Sequence, residues 1–397
     1  MLRWYQDLRY GARTLPFCRR YADALLKLQL ENGAIPDWVK ADTLEPIEKY
    51  NGEKYAHTTF GYIQHMLSRW DTRRFVHSAE SAASGLFLAE LVKVMGNQNV
   101  RCKAYISSAI RIANYLQTYV LPQQKWFDFE TFFSCSVKPL DFYDRYTGQY
   151  PQNTLVMHWT AAFLLTLYEV THNTNWLSLG QRVQDYLNLY QQVWNPPFLS
   201  IYGFGGFGVM NTDGEWNDAR QSQFGCTQAD YFLVTDEPEY LERAIYAVRA
   251  AFTCAFLPAN KKVYPTGYRR KPQGQAAENH GHGGHEMLCG VSGFDWGTGS
   301  ALTGAAYLLH RLGGAYVDID KACGFGIDAC FIRNIKTTAD TISLEIVTPF
   351  EPLSRIIVKF TGSRRKEYVI IVNDQSLGCF NFAQLTTGIS CPVRIGS

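Results

Sequence analysis

Between residues 16 and 312 the chain repeats one theme: a helix rich in small and apolar residues, a short polar turn, then a second, amphipathic helix. Ser81–Met95 turns at Gly96-Asn97 and leads to a helix near Ala104–Tyr119. Trp159–Glu169 turns at His172-Asn173 and leads to Trp176–Val193; Ala229–Thr235 turns at Asp236–Pro238 and leads to Tyr240–Phe252. A last helix opens at Gly299 and runs through Leu309. Such hairpins cannot bury both faces alone, so consecutive ones stack side by side and curve towards a ring.

The pattern therefore predicts a mainly α fold, an (α/α) helical-hairpin toroid, over residues 1–314. It supplies about nine helices against the roughly twelve of a six-hairpin ring. The toroid is then either incomplete or short of hairpins at its N-terminus. After Gly314 the period changes to two: Thr341–Val347, Ser354–Phe360 and Glu367–Val372 alternate and are bounded by Gly, Pro, Asn or Asp. These strands predict a small C-terminal antiparallel β-module over residues 315–397.

Composition narrows the function classes. With 38 Lys+Arg against 36 Asp+Glu and no lysine-rich run, the chain lacks the footprint of a nucleic-acid binder. No apolar stretch approaches membrane-spanning length, so no membrane partner is expected. The ten cysteines contain no Cys-x-x-Cys pair and suit a reducing compartment better than a disulfide framework or zinc ribbon. The opening Met1–Asp7 does not read as a signal peptide, which makes a cytoplasmic location the expectation. No cofactor is implied, and the oligomeric state is left open.

Long loops precede the inner helices, at 120–152, 194–224 and 257–298. Loops of that length inside a compact domain are usually functional. The last contains Glu278-Asn-His-Gly-His-Gly-Gly-His-Glu286, followed by Asp295-Trp296. Imidazole titrates near neutral pH, so His280, His282 and His285 are candidates for proton transfer or substrate positioning, with Asn279, Asp295 and Trp296 beside them. The spacing lacks the helical His-Glu-x-x-His frame, and no metal is assigned to it. The ordinary alternative is a glycine-rich turn whose histidines bond to backbone.

The middle loop carries Asp213, Glu215, Trp216, Asp218 and Arg220. A single aspartate at that position is a common helix cap or Asx-turn, but a cap needs one carboxylate and this loop has three. Two carboxyl groups are what glycosidic-bond hydrolysis requires, one protonated and one ionised. An adjacent Arg suits a substrate carboxylate. The first loop alternates acids with aromatics through Trp126, Asp128 and Glu130. It reads either as a two-faced strand with wet acids or as a wall on which Trp126 stacks against a sugar. Tyr143, Asn153 and His158 complete the set, although a lone histidine on an inner helix is more often a core residue. Gly203–Gly208 lacks the Lys-Ser/Thr ending of a phosphate loop.

The toroid with its β-module, the Leu28–Pro36 segment at a hairpin turn and the Gly297–Ala301 start of the last inner helix resemble six-hairpin carbohydrate-active enzymes. Unsaturated glucuronyl hydrolases and toroidal polysaccharide lyases belong to that group. The resemblance is one of fold and short motifs, and it implies a carbohydrate substrate containing uronic acid. Three readings follow. A glycoside hydrolase would draw its acid/base pair from Asp213, Glu215, Asp218, Glu130 and Asp295, with His280 and His282 as proton-transfer groups. A polysaccharide lyase would abstract a proton with Tyr or His while Asn, His or Arg neutralises the uronate, using Tyr143, Asn153, Asn279 or His280. A glycan-binding toroid would do no chemistry. The hydrolase is preferred because three separate loops bring acids and aromatics to one rim.

Overall fold

A computed structural model describes residues 11–37, 39–46, 76–96, 100–128, 142–195, 197, 202–211, 216–261, 271–280, 288–294, 296–348, 354–362, 365 and 367–393. Helix α1 (Gly11–Leu28) packs on the hairpin α2 (Ser78–Met95) and α3 (Val100–Tyr115), which is followed by α4 (Thr154–Thr171) with α5 (Thr174–Asn188). Next come α6 (Ser222–Thr235) with α7 (Pro238–Ala251), and then α8 (Trp296–Leu312). Helix α2 packs on α4, α4 on α6 and α6 on α8, so the described helices form an arc of hairpins with one apolar row inside.

Local chemistry ends the helices where the arc needs them to end. Gly96 takes φ 77° and closes α2, whereas His172 (φ 54°) and Asp236 (φ 62°) cap α4 and α6 in the left-handed region. Asn173 then starts α5 by accepting from Asn175 N at 3.1 Å. Burial covers most of α2 and α4, including Leu88, Leu91, Val92, Phe163, Leu164 and Leu167. The two helices approach closely because α2 offers small residues: a Cβ on Gly85 would lie 2.6 Å from the Phe163 ring. Gly85→Val should therefore cost about 2 kcal/mol or more by overpacking. A urea midpoint within error of wild type would show that the contact yields.

The Leu28–Pro36 turn is held by Gly33, whose φ of 97° brings it within 2.4 Å of Arg111 O for an added Cβ. Gln29 Nε2 bonds Gly33 O at 2.9 Å and Ser108 O at 3.0 Å, tying the turn to α3.

Beyond α8 the chain forms a β-module. Strands β4 (Ala315–Asp318), β5 (Cys323–Gly326), β8 (Arg355–Thr361) and β11 (Ile389–Pro392) make a sheet of order β11-β8-β4-β5. Strands β6 (Phe331–Thr337) and β7 (Ile342–Val347) form one ribbon, β9 (Tyr368–Val372) and β10 (Gln375–Phe380) another. Pairing is antiparallel except between β4 and β8, which run parallel. A short helix, α9 (Phe382–Thr387), opens with an Asn381/Gln384 capping box. The module has its own core around Val317, Ile356, Val358, Leu385 and Ile389. It docks on the arc through Phe232 against Tyr316 (centroids 5.7 Å) and Arg249 Nη2 on Gly326 O at 3.2 Å. No described helix is long and apolar enough to cross a membrane.

Candidate active site at the inner-helix rim

The N-termini of α2, α4, α6 and α8 lie at one rim, joined by hydrogen bonds. Ala79 N donates to Phe127 O (3.2 Å) and Asn153 N to Trp126 O (3.0 Å), which links α2 to α4. Thr154 N donates to Val209 O (2.9 Å), and Gln221 Nε2 reaches Thr154 Oγ1 (3.3 Å), which links α4 to α6. Gln223 Nε2 then bonds Ser300 Oγ at 2.9 Å on α8. The described parts of the 120–152 and 194–224 loops therefore lie along one edge, beside the start of α8. Only part of each of the three long loops is described: Glu130, Asp213, Glu215, His282, His285 and Asp295 lie outside the described residues, as does the side chain of Trp296.

At the start of α2, Asp37, His77, Glu80 and Asp128 converge. Asp37 Oδ2 lies 3.1 Å from His77 Nδ1, and both side chains are largely buried. Burial pushes the Asp37 carboxyl up, and the bond to His77 opposes the shift. Glu80 is pushed up to about 7, by burial first and then by the negative charges of Asp37 and Asp128. A carboxyl group there is half protonated at neutral pH, beside carboxylates that repel its ionised form. Tyr115 OH accepts from His77 N at 2.9 Å, and Ser78 Oγ exchanges bonds with Phe127 O and N at 2.8 and 2.7 Å, which fixes Asp128 against α2.

The second constellation rests on a three-stranded sheet of order β1-β2-β3: β1 (Asn217–Asp218), β2 (Ala276–His280) and β3 (Leu288–Gly293). The register sets Asn217 opposite His280 and Asp218 opposite Asn279. Trp216 N donates to His280 O at 3.0 Å, which holds the half-buried Trp216 at the edge. Asp218 is wholly buried and grips Arg220, with Nε at 3.0 and 3.2 Å and Nη2 at 2.8 Å. Burial raises the Asp218 carboxyl and the Arg220 charge opposes that. Arg220 Nη2 also lies 3.5 Å from Glu278 Oε1.

Several sequence expectations change at this point. Asp218 was a candidate acid or base, but it is sealed from solvent and its oxygens hold Arg220. Arg220 in turn is shared by two carboxylates, which leaves it poorly suited to bind a third from a substrate. His280 is wholly buried and held down to about 4 by burial, so it is neutral near pH 7 and backs the rim. Trp126 is a core residue whose Nε1 bonds Gln124 Oε1 at 2.6 Å. Asn153 caps α4, its Oδ1 accepting from Leu155 N and Val156 N. His158 stacks on Phe224 at 4.7 Å inside the arc. Asn279 is buried alongside Asp218. Tyr143 is an exposed aromatic of the first loop, edge-on to Tyr150 at 5.0 Å, which in turn meets Phe127 at 6.3 Å.

Sequence reasoning passed over Asp37, His77 and Glu80. Asp37 follows Pro36 directly, one residue past the segment that carried the resemblance. His77-Ser-Ala-Glu80 looks like an ordinary helix start with a glutamate at N3, yet His77 makes no side-chain cap bond. Among the described residues no group of His, Cys, Asp and Glu is arranged to hold a metal ion.

The His280 shift makes a prediction about acid lability. A histidine depressed to about 4 supports the fold above its ordinary value of 6.5, and that support is lost as pH falls towards 4. His280→Gln should remove that loss, so the variant gains on wild type as pH falls from about 6.5 to 4, read as the difference in thermal midpoint against pH. An unchanged slope would mean that His280 takes up its proton in the fold.

Fold and rim together define a chain of helical hairpins with an acid-lined edge. It is similar to an inactive variant of alpha-1,6-mannanase of Salegentibacter sp. HEL1_6 in complex with alpha-1,6-mannotetrose, at 13% identity over 60% of this chain and 69% of that one, TM-score 0.30. It is also similar to cellobiose 2-epimerase from Bacillus thermoamylovorans B4167, at 13% identity over 72% and 78% of the two chains, TM-score 0.34. No family profile and no curated protein matches the sequence. Likenesses of this size assign no residue roles, so the roles below come from this chain alone.

Proposed function

We propose that the chain is a carbohydrate-active enzyme, a glycoside hydrolase acting on a neutral poly- or oligosaccharide through the acids at the start of α2. The observation that carries this reading is Glu80, a carboxyl pushed up to about 7 beside Asp37 and Asp128. Protonated, it is the general acid for the departing glycosidic oxygen; Asp128, held against α2 by the Ser78–Phe127 bonds, is the second carboxyl group, which activates water or attacks the sugar. Asp37 acts on Glu80 through charge, His77 holds Asp37, and neither touches substrate. Tyr143 and Tyr150 supply ring faces for a pyranose.

Charge favours a neutral sugar over a uronate. Asp37, Glu80, Asp128, Asp218 and Glu278 gather at the described part of the rim, and Arg220 is engaged by two of those acids. A lyase must neutralise its substrate's carboxylate before proton abstraction, and such a rim works against that. Glu130, Asp213, Glu215, His282, His285 and Asp295 belong to the same loops and are proposed to complete the pocket. Residues 1–314 are taken as the catalytic domain and 315–397 as an accessory module.

The test is product analysis on panels of neutral and uronate-containing glycans. New reducing ends without near-ultraviolet absorbance, on neutral substrates only, are expected. An unsaturated, absorbing product from a uronate polymer would reverse the assignment. Binding with no cleavage of any glycan would leave a glycan-binding toroid.

A further inference from the structure

The outer flank of the arc carries a groove of about 460 Å³ between residues 191–193, the 204–205 turn and α7. We propose that this groove is a second, non-catalytic carbohydrate-binding site for a neutral oligosaccharide. Volumes of a few hundred Å³ are ordinary for small-ligand sites.

Its wall is aromatic and built to stay in place. Phe204 meets Tyr246 edge-on at 4.7 Å and 83°, and Tyr202, exposed to 61%, continues the row at 6.2 Å from Phe204. Gly205 makes this possible: at φ 88° it lies so near α7 that a Cβ would sit 2.5 Å from Tyr246 O. Gln191 Nε2 pins the turn by bonding Gly205 O and Arg243 O, each at 3.0 Å. Gly205 N donates to Gln192 O at 2.7 Å, and Gln192 N to Gly206 O at 2.8 Å. A preformed wall loses little order on binding.

The polar groups fit a sugar. Gln192 and Glu242 line the groove, and neither side chain makes a hydrogen bond or ion pair with a described residue. An amide and a carboxylate beside ring edges are the donors and acceptors that read hydroxyls around the apolar face of a pyranose. Arg243 is engaged by Glu239 at 2.6 Å and Gln191 Oε1 at 3.2 Å, which leaves the groove negative through Glu242. That charge disfavours nucleic acid and uronates alike.

The choice of sugar as ligand rests on the carbohydrate-active reading, so the experiment separates the two. Short neutral oligosaccharides are titrated calorimetrically into Glu80→Gln protein, which removes turnover. Two binding events are expected, and Tyr246→Ala or Phe204→Ala should weaken one of them about tenfold while leaving the other event unchanged. Glu242→Lys, at an exposed position, should shift that event towards uronate oligosaccharides. A single event untouched by all three substitutions, no sugar binding, or capture of a proline-rich peptide in place of sugar would each overturn the groove. Groove binding in a wild type that cleaves no glycan would instead sink the enzyme reading alone.

Discussion

Glu80→Gln is expected to abolish turnover by about two to four orders of magnitude, the usual contribution of a positioned general acid, while leaving substrate affinity nearly intact. The same substitution should raise stability at alkaline pH. A carboxyl with an ordinary value of 4.5 and a folded value of about 7 holds its proton more tightly in the fold. Its penalty is absent below about 4.5, grows as pH rises, and is complete above about 7, where it reaches about 3 kcal/mol at most. Glutamine removes that penalty, so the two proteins should unfold alike near pH 4 and differ near pH 8. Glu80 and His280 pull in opposite directions across the same window, which makes the wild-type curve flatter than that of either variant. Equal stability of Glu80→Gln and wild type at both pH values would contradict the placement of Glu80 among buried negative charges.

Arg220→Ala should be the most destabilising single change at the rim, by about 3–5 kcal/mol. It strips Asp218, which has no solvent contact, of the guanidinium it grips, and it breaks the Arg220–Glu278 pair. Adding Asp218→Asn should recover most of the loss, because an amide in that position is buried without charge and still accepts from Arg220's backbone position, where N–H donates to Oδ1 at 2.7 Å. The urea midpoint at constant slope measures both. A loss below about 1 kcal/mol for the single variant would mean that water reaches Asp218 and the pair is not structural.

How much the sequence revealed depends on whether the signal was local. The hairpin turns were legible because Gly96, His172-Asn173 and Asp236–Pro238 combine left-handed stops with starts of the next helix. The beginning of α4 was misplaced from Thr154 to Trp159 because Asn153 reads equally well as a cavity residue and as a cap. Strand β4 has four residues, too few for alternation to register, and β10 breaks its alternation at a bulge between Ser376 and Gly378. At the rim, the sequence put the 211–221 and 278–286 loops on one edge, and β1–β2 pairing is how they meet. What it did not convey was the consequence of that register, which buries His280 and spends Arg220 on Asp218 and Glu278. The α2 cluster was hidden for a related reason: Asp128 stood out beside its aromatics, but Asp37 and Glu80 are far from it in the chain, and each alone is an unremarkable polar residue.

The central claim, that α2 begins with a carboxyl group held protonated near neutral pH, is tested most directly by carbon-13 titration of glutamate side chains, with the Glu80 resonance identified by its loss in Glu80→Gln. A midpoint of about 7, falling towards the ordinary value in Asp128→Asn, is the predicted result. A midpoint near 4.5 that ignores Asp128 would contradict it.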